Sequence, residues 1–186
     1  MREVKVSTVI SASCEDVFDI VSDLSRRPSF SDHYLEDFRL ARPDPKGVGA
    51  SARFLLDRPL LGERGEIRIT KCERPHLVEE EGRVGRRGRS TLVAAYELRR
   101  SDDGGCCVEM TTRIEATTPV DRLRQRGLPS WLRRRTKKAL DRLRKLLEEP
   151  ASDAGERATV AGYEPHTAPR FGDHVRAPRK TTATDG

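Results

Sequence analysis

Glu79 and Glu81 lie two residues apart in LVEEEGRV, so on an extended chain they share one face. Paired carboxylates on one face are the raw material of general acid and base chemistry. His33 and His76 are the imidazoles of the first 149 residues and could take the same roles. Each has an ordinary alternative. His76 follows Pro75 in a turn and would be exposed, and Glu79 and Glu81 would form a solvated outer face beside Arg68 or Arg89. No catalytic residue is therefore assigned. Cys72 and His76 are spaced like half a zinc site, but no second pair follows at zinc-site spacing, and no metal is expected. Gly47-Val48-Gly49 leads into a strand and not a helix, so it is no phosphate loop, and no cofactor is expected. The basic run from Arg83 to Arg89 lacks aromatic residues for base stacking and reads as a charged hairpin tip. Cys14, Cys72, Cys106 and Cys107 are expected as reduced thiols, and the adjacent Cys106 and Cys107 would point to opposite faces of a strand.

These side chains need elements to hold them. Val4, Val6, Thr8 and Ile10 alternate with polar residues and predict a half-buried strand over residues 3–12. Ser13 caps a helix whose first turn carries Glu15 and Asp16 and whose apolar face is Val17, Phe18, Val21 and Leu24, with Pro28 ending it. A short helix is expected near 31–35. Strands follow at 38–41, 50–56, 65–73, 77–84, 89–100 and 106–116, separated by turns rich in Gly, Pro and Asp, with Leu60 and Leu61 in an exposed loop. The last of these strands alternates most cleanly, Cys106, Val108, Met110, Thr112 and Ile114 against Cys107, Glu109, Thr111, Arg113 and Glu115. Residues 128–149 predict one long helix. Pro129 sits in its first turn, where its missing N–H costs nothing, and Pro150 stops it. Leu132, Thr136, Ala139, Leu140, Leu143, Leu146 and Leu147 form one stripe.

Hydrophobic and charged residues each make up 35% of the 186, lean for a globular chain, and the tail accounts for part of the deficit. From residue 151 onward no apolar period remains, which predicts a domain over 1–149 and a disordered tail over 150–186. The net charge of +6 is concentrated in residues 120–149, where eleven Lys and Arg face four Asp and Glu. Arg133, Arg134, Arg135, Lys137 and Lys138 could attract an anionic partner, or form the solvated face of a core-packed helix. No stretch is apolar for the roughly 18–20 residues of a membrane span, and the N-terminal residues lack a signal-peptide pattern. The expected location is cytoplasmic.

A strand, one or two helices, six meandering strands and a long helix predict an α+β fold with an antiparallel sheet. A curved seven-stranded sheet wrapped against one long helix leaves a space where a ligand pocket is expected. The order and several local runs resemble the START-like (SRPBCC, helix-grip) superfamily, and within it the polyketide cyclase/dehydrase group of small bacterial proteins. The runs are VSTVISASCEDVFDIVSDLSRRPSF, GVGASARF, TKCERPHLVEEEGRVG and VEMTTRIEATTP. The likeness covers residues 3–148. It implies a deep cavity between the sheet and the C-terminal helix that holds an apolar or aromatic small molecule, and it brings no invariant catalytic set.

Cavity-lining candidates are Tyr34, Phe54, Tyr96, Met110, Thr112 and Trp131. Tyrosine and tryptophan combine apolar bulk with one polar handle, which suits orienting a ligand, and the same residues could equally be core. Three functions stay open. The first is binding of a small hydrophobic or aromatic molecule such as a lipid or polyketide. The second is a polyketide cyclase or aromatase that works by positioning its substrate. The third is an interaction protein whose basic helix docks on nucleic acid or an anionic membrane.

Overall fold

The computed structural model describes residues 3–58, 62–85, 88–124, 127–149 and 159–160. The valine alternation forms strand β1 (Val4–Ile10), with Val4 and Ile10 buried and Lys5, Ser7 and Val9 exposed. Helix α1 (Cys14–Val21) starts where expected, its Asp16 N–H donating to the Ser13 hydroxyl at 3.0 Å. It ends earlier than the sequence suggests. A single 3-10 turn at Leu24–Arg26 follows, and Pro28 opens a second helix, α2 (Pro28–Ser31), instead of merely ending the first. Proline suits that position because the first turn has no use for its N–H. The expected helix near 31–35 is thus displaced towards the N-terminus, and strand β2 (Leu35–Leu40) begins at once. A bulge interrupts β2, where Asp37 takes a positive φ of 48° and the pairing with the next strand shifts register.

Strands β3 (Ser51–Leu56), β4 (Glu63–Glu73), β5 (Leu77–Val84), β6 (Ser90–Arg100) and β7 (Cys106–Glu115) continue the meander. Helices α3 (Pro119–Arg124) and α4 (Leu128–Glu148) follow. Seven antiparallel strands pair in the order β1-β7-β6-β5-β4-β3-β2. A two-residue strand, β8 (Thr159–Val160), adds to the edge parallel to β2 opposite Arg39 and Leu40. This short pairing falls within the tail expected to be disordered. The rest of that tail, the Leu60-Leu61 pair and Arg86 and Arg87 of the basic hairpin lie outside the described residues.

Gly65 is required by packing. A Cβ on Gly65 would stand 2.6 Å from the Phe54 ring, so its absence lets that ring lie across β4.

Gly127, at φ 81°, turns the chain into α4. The helix buries Leu128, Trp131, Leu132, Thr136, Ala139, Leu140 and Leu143 against β1 and α2, which is the predicted stripe with Leu146 and Leu147 half-buried at its end. Each fully buried leucine contributes about 1.5–3 kcal/mol relative to exposure. The core lies between the inner face of the sheet and the layer of α1, α2 and α4.

The expectation of four reduced thiols needs correction. Cys14 and Cys106 form a disulfide with Cα atoms 5.0 Å apart, leaving Cys72 and Cys107 free and half-buried. The pairing of β1 with β7 puts Ile10 opposite Cys106, and the helix that begins four residues after Ile10 starts with Cys14. The sheet therefore delivers the two cysteines to the same corner across 92 residues of sequence.

Candidate ligand cavity

Four positions make a row across the inner face of the sheet: Ile69 on β4, Glu80 on β5, Ala94 on β6 and Thr112 on β7. Ala94 is small, so a space opens above it between Glu80 and Thr112. The space is a cavity of about 40 Å³, closed from the helix side by Leu132 and Thr136 of α4. Phe54, Leu56, Ile67, Met110 and Ile114 give it apolar walls. Arg27, Tyr34, Glu80, Thr112 and Thr136 bring polar atoms to it. Ligand pockets for drug-sized molecules run to about 300–1,000 Å³. In this conformation the cavity is roughly tenfold smaller than that range.

A buried ion pair forms the polar end. Arg27 is 1% exposed and Glu80 2%. Arg27 Nη2 donates to Glu80 Oε1 and to the Val21 carbonyl, and Nη1 donates to the Tyr96 hydroxyl. The guanidinium also lies over the Tyr96 ring, 4.9 Å from its centroid. Burial alone would push the Arg27 pKa down, but the Glu80 charge, with the two tyrosines, outweighs it and holds the pKa above its ordinary value. Burial pushes Glu80 the other way, above the usual carboxylate range, and the Arg27 charge pulls it back. Direct contact with a guanidinium that does not lose its proton keeps the pair ionised. Burial raises the Tyr34 hydroxyl to about 12, so it stays a neutral donor and acceptor.

The α2–β2 segment is tied to α4. The His33 ring lies between two groups of the helix, with Nε2 3.1 Å from the Arg135 carbonyl and Nδ1 3.2 Å from Arg142 Nη1. A carbonyl only accepts and a guanidinium only donates, so the proton sits on Nε2 and the ring is neutral. Burial lowers the His33 pKa, and the Arg142, Lys138 and Arg135 charges lower it further. Arg142 also pairs with Asp32, and Arg135 with Asp57 at 3.8 Å. Two cations of the basic helix thus brace the fold, whereas Arg133, Arg134, Lys137 and Lys138 are exposed.

The six candidates named from sequence separate into two groups. Tyr34, Phe54, Met110 and Thr112 border the cavity. Tyr96 lies deeper, fully buried under Arg27, and Trp131 packs edge-on against Tyr34 at 6.3 Å. Sequence reasoning missed Arg27 and Glu80. Glu80 was legible from phase, because Val78, Glu80 and Val84 fall on the same side of β5 and both valines are buried. Attention to the flanking carboxylates hid it. Glu81 faces outward opposite Arg68, and Glu79 and His76 border a shallow outer depression. Arg27 offered no periodic signal.

Comparison with known proteins follows the fold. The family model described as "Polyketide cyclase / dehydrase and lipid transport" matches residues 1–148. No curated protein matches the chain significantly. Among solved structures, the KanY protein superposes with a TM-score of 0.66 at 19% identity, covering 79% of this chain and 97% of its own. Norcoclaurine synthase from Thalictrum flavum gives 0.62 at 13% identity, covering 81% and 95%. Protein CV1439 from Chromobacterium violaceum gives 0.59 at 15% identity, covering 81% and 100%. At these identities the likeness establishes the helix-grip architecture alone.

Proposed function

The chain belongs to the polyketide cyclase/dehydrase and lipid transport family, and from that premise we propose that it binds a small hydrophobic or aromatic molecule between the sheet and α4. The observation that carries this reading is an apolar-walled cavity to which a few polar groups also contribute. The apolar walls supply affinity through burial, and the polar end supplies orientation. A ring-sized ligand exceeds the volume of the closed form. Binding therefore requires α4 to part from the α2–β2 segment at the His33 and Asp32 contacts and from Asp57 just after β3. The test is titration of the full-length protein with Nile red, a neutral dye that brightens in apolar surroundings. Saturable binding that is lost in Ala94→Leu, which fills the cavity from the sheet side, supports the reading. Dye binding that Ala94→Leu leaves unchanged overturns it.

One observation favours a second reading. An ionisable pair inside the cavity is what a cyclase acting on a poly-ketone chain would need. Glu80 would take a proton from the carbon beside a carbonyl, Arg27 and Tyr34 would stabilise the enolate, and the enolate would add to a second carbonyl of the same chain. The proton on Glu80 would then return to the new alkoxide. Loss of cyclisation in Glu80→Gln with substrate binding retained would support this chemistry, and unchanged turnover would dismiss it.

A further inference from the structure

The polar end of the cavity holds more hydrogen-bonding capacity than the protein uses. Arg27 Nε, Thr112 Oγ1 and Thr136 Oγ1 are buried and have no partner. Glu80 meets Arg27 through Oε1, and its carboxylate borders the same cavity. Tyr34, also buried, brings its hydroxyl to the same cavity. Leaving a buried polar atom unpaired costs about 1–3 kcal/mol. Three such atoms lining one cavity mark where a ligand's own polar atoms belong.

Their chemistry limits what those ligand atoms can be. A guanidinium recognises a carboxylate with two parallel N–H bonds. Arg27 has both N–H bonds of Nη2 committed, to Glu80 and Val21, and one of Nη1, to Tyr96, so its unpartnered Nε–H has no free Nη2–H beside it to complete such a pair. Glu80 already neutralises its charge. A ligand carboxylate would find no parallel pair of donors, face the Glu80 carboxylate, and lose its hydration among apolar walls. A ligand hydroxyl fits instead. Its O–H donates to the Glu80 carboxylate, and its oxygen accepts from Arg27 Nε–H or from the Thr112 and Thr136 hydroxyls.

We infer that the cavity selects neutral ligands bearing a hydroxyl group on an apolar ring and excludes carboxylates, with Glu80, Arg27, Thr112 and Thr136 setting that specificity. The inference rests on the binding reading proposed above. The test is calorimetric titration of the full-length protein at pH 7.5 with three compounds of one shape: naphthalene, 1-naphthol and 1-naphthoate. 1-Naphthol should bind at least tenfold more tightly than 1-naphthoate and several-fold more tightly than naphthalene. Thr112→Val, which keeps the shape and removes the hydroxyl, should shrink the advantage of 1-naphthol over naphthalene. Glu80→Gln should narrow the gap between 1-naphthol and 1-naphthoate. Where removal of the Glu80 charge prevents folding, Thr112→Val still decides the matter. Equal binding of all three compounds, or tighter binding of 1-naphthoate, overturns the inference and leaves ligand binding intact. Failure of all three to bind removes both.

Discussion

Replacing Glu80 with alanine leaves the Arg27 guanidinium buried without its counter-charge. Both side chains are almost completely excluded from water, so solvent does little to screen the loss. Breaking such a pair from one side costs about 3–5 kcal/mol. A domain of this size has about 5–15 kcal/mol of stability in all, so the variant should lose a large part of it. At about 2–4 °C per kcal/mol, its Tm should fall by about 6–20 °C. Replacing both partners at once, Arg27→Met with Glu80→Leu, removes the unpaired charge and fills the space with apolar atoms. That double variant should regain most of the loss and match or exceed the parent, as apolar replacements of buried pairs often do. Urea unfolding followed by the fluorescence of Trp131, the single tryptophan, measures all members of the cycle. The reasoning is refuted if Glu80→Ala costs less than about 1 kcal/mol, or if the effects at the two sites add within about 0.5 kcal/mol.

Further outcomes follow from the same contacts. His33 is held neutral, with its pKa below the usual imidazole range, so the unfolded chain takes up a proton that the folded chain refuses. Stability should therefore decline as pH falls from about 6.5, and His33→Gln should flatten that decline in urea midpoints measured between pH 5 and 7.5. Two of the four cysteines should react with a thiol reagent in denaturant without reductant, and all four after reduction. The Cys14–Cys106 crosslink spans 92 residues, so its reduction should cost about 4.6 kcal/mol by the chain-entropy relation, read as a lower urea midpoint. Gly65→Val should force the Phe54 ring out of place and destabilise the fold by about 1–3 kcal/mol. The thermal midpoints of Gly65→Val and the parent would show the difference.

Much of the architecture was legible because its physics is local. The alternation of β7 and the leucine stripe of α4 are periodic signals, and both elements form where those signals run. The start of β2 was missed because the bulge at Asp37 breaks the period of two on which strand recognition depends. The disulfide was missed because its cysteines are neighbours only through the β1–β7 pairing, which sequence spacing does not reveal. At the cavity, choosing residues by aromatic bulk found the border residues Tyr34 and Phe54 but also drew in Tyr96 and Trp131, which support the site from behind. The ion pair escaped because charge is normally read as exposure. A glutamate in the buried phase of a strand implies a buried cation somewhere in the fold, although only the folded chain shows that the cation is Arg27.

The most direct measurement of ligand binding is native mass spectrometry of the full-length chain purified from its own host, with solvent extraction of whatever accompanies it. Binding in the cavity predicts a discrete added mass, released on denaturation and absent from Ala94→Leu. A bare chain mass, together with no rise in Tm across a panel of neutral aromatic and lipid compounds, would contradict it.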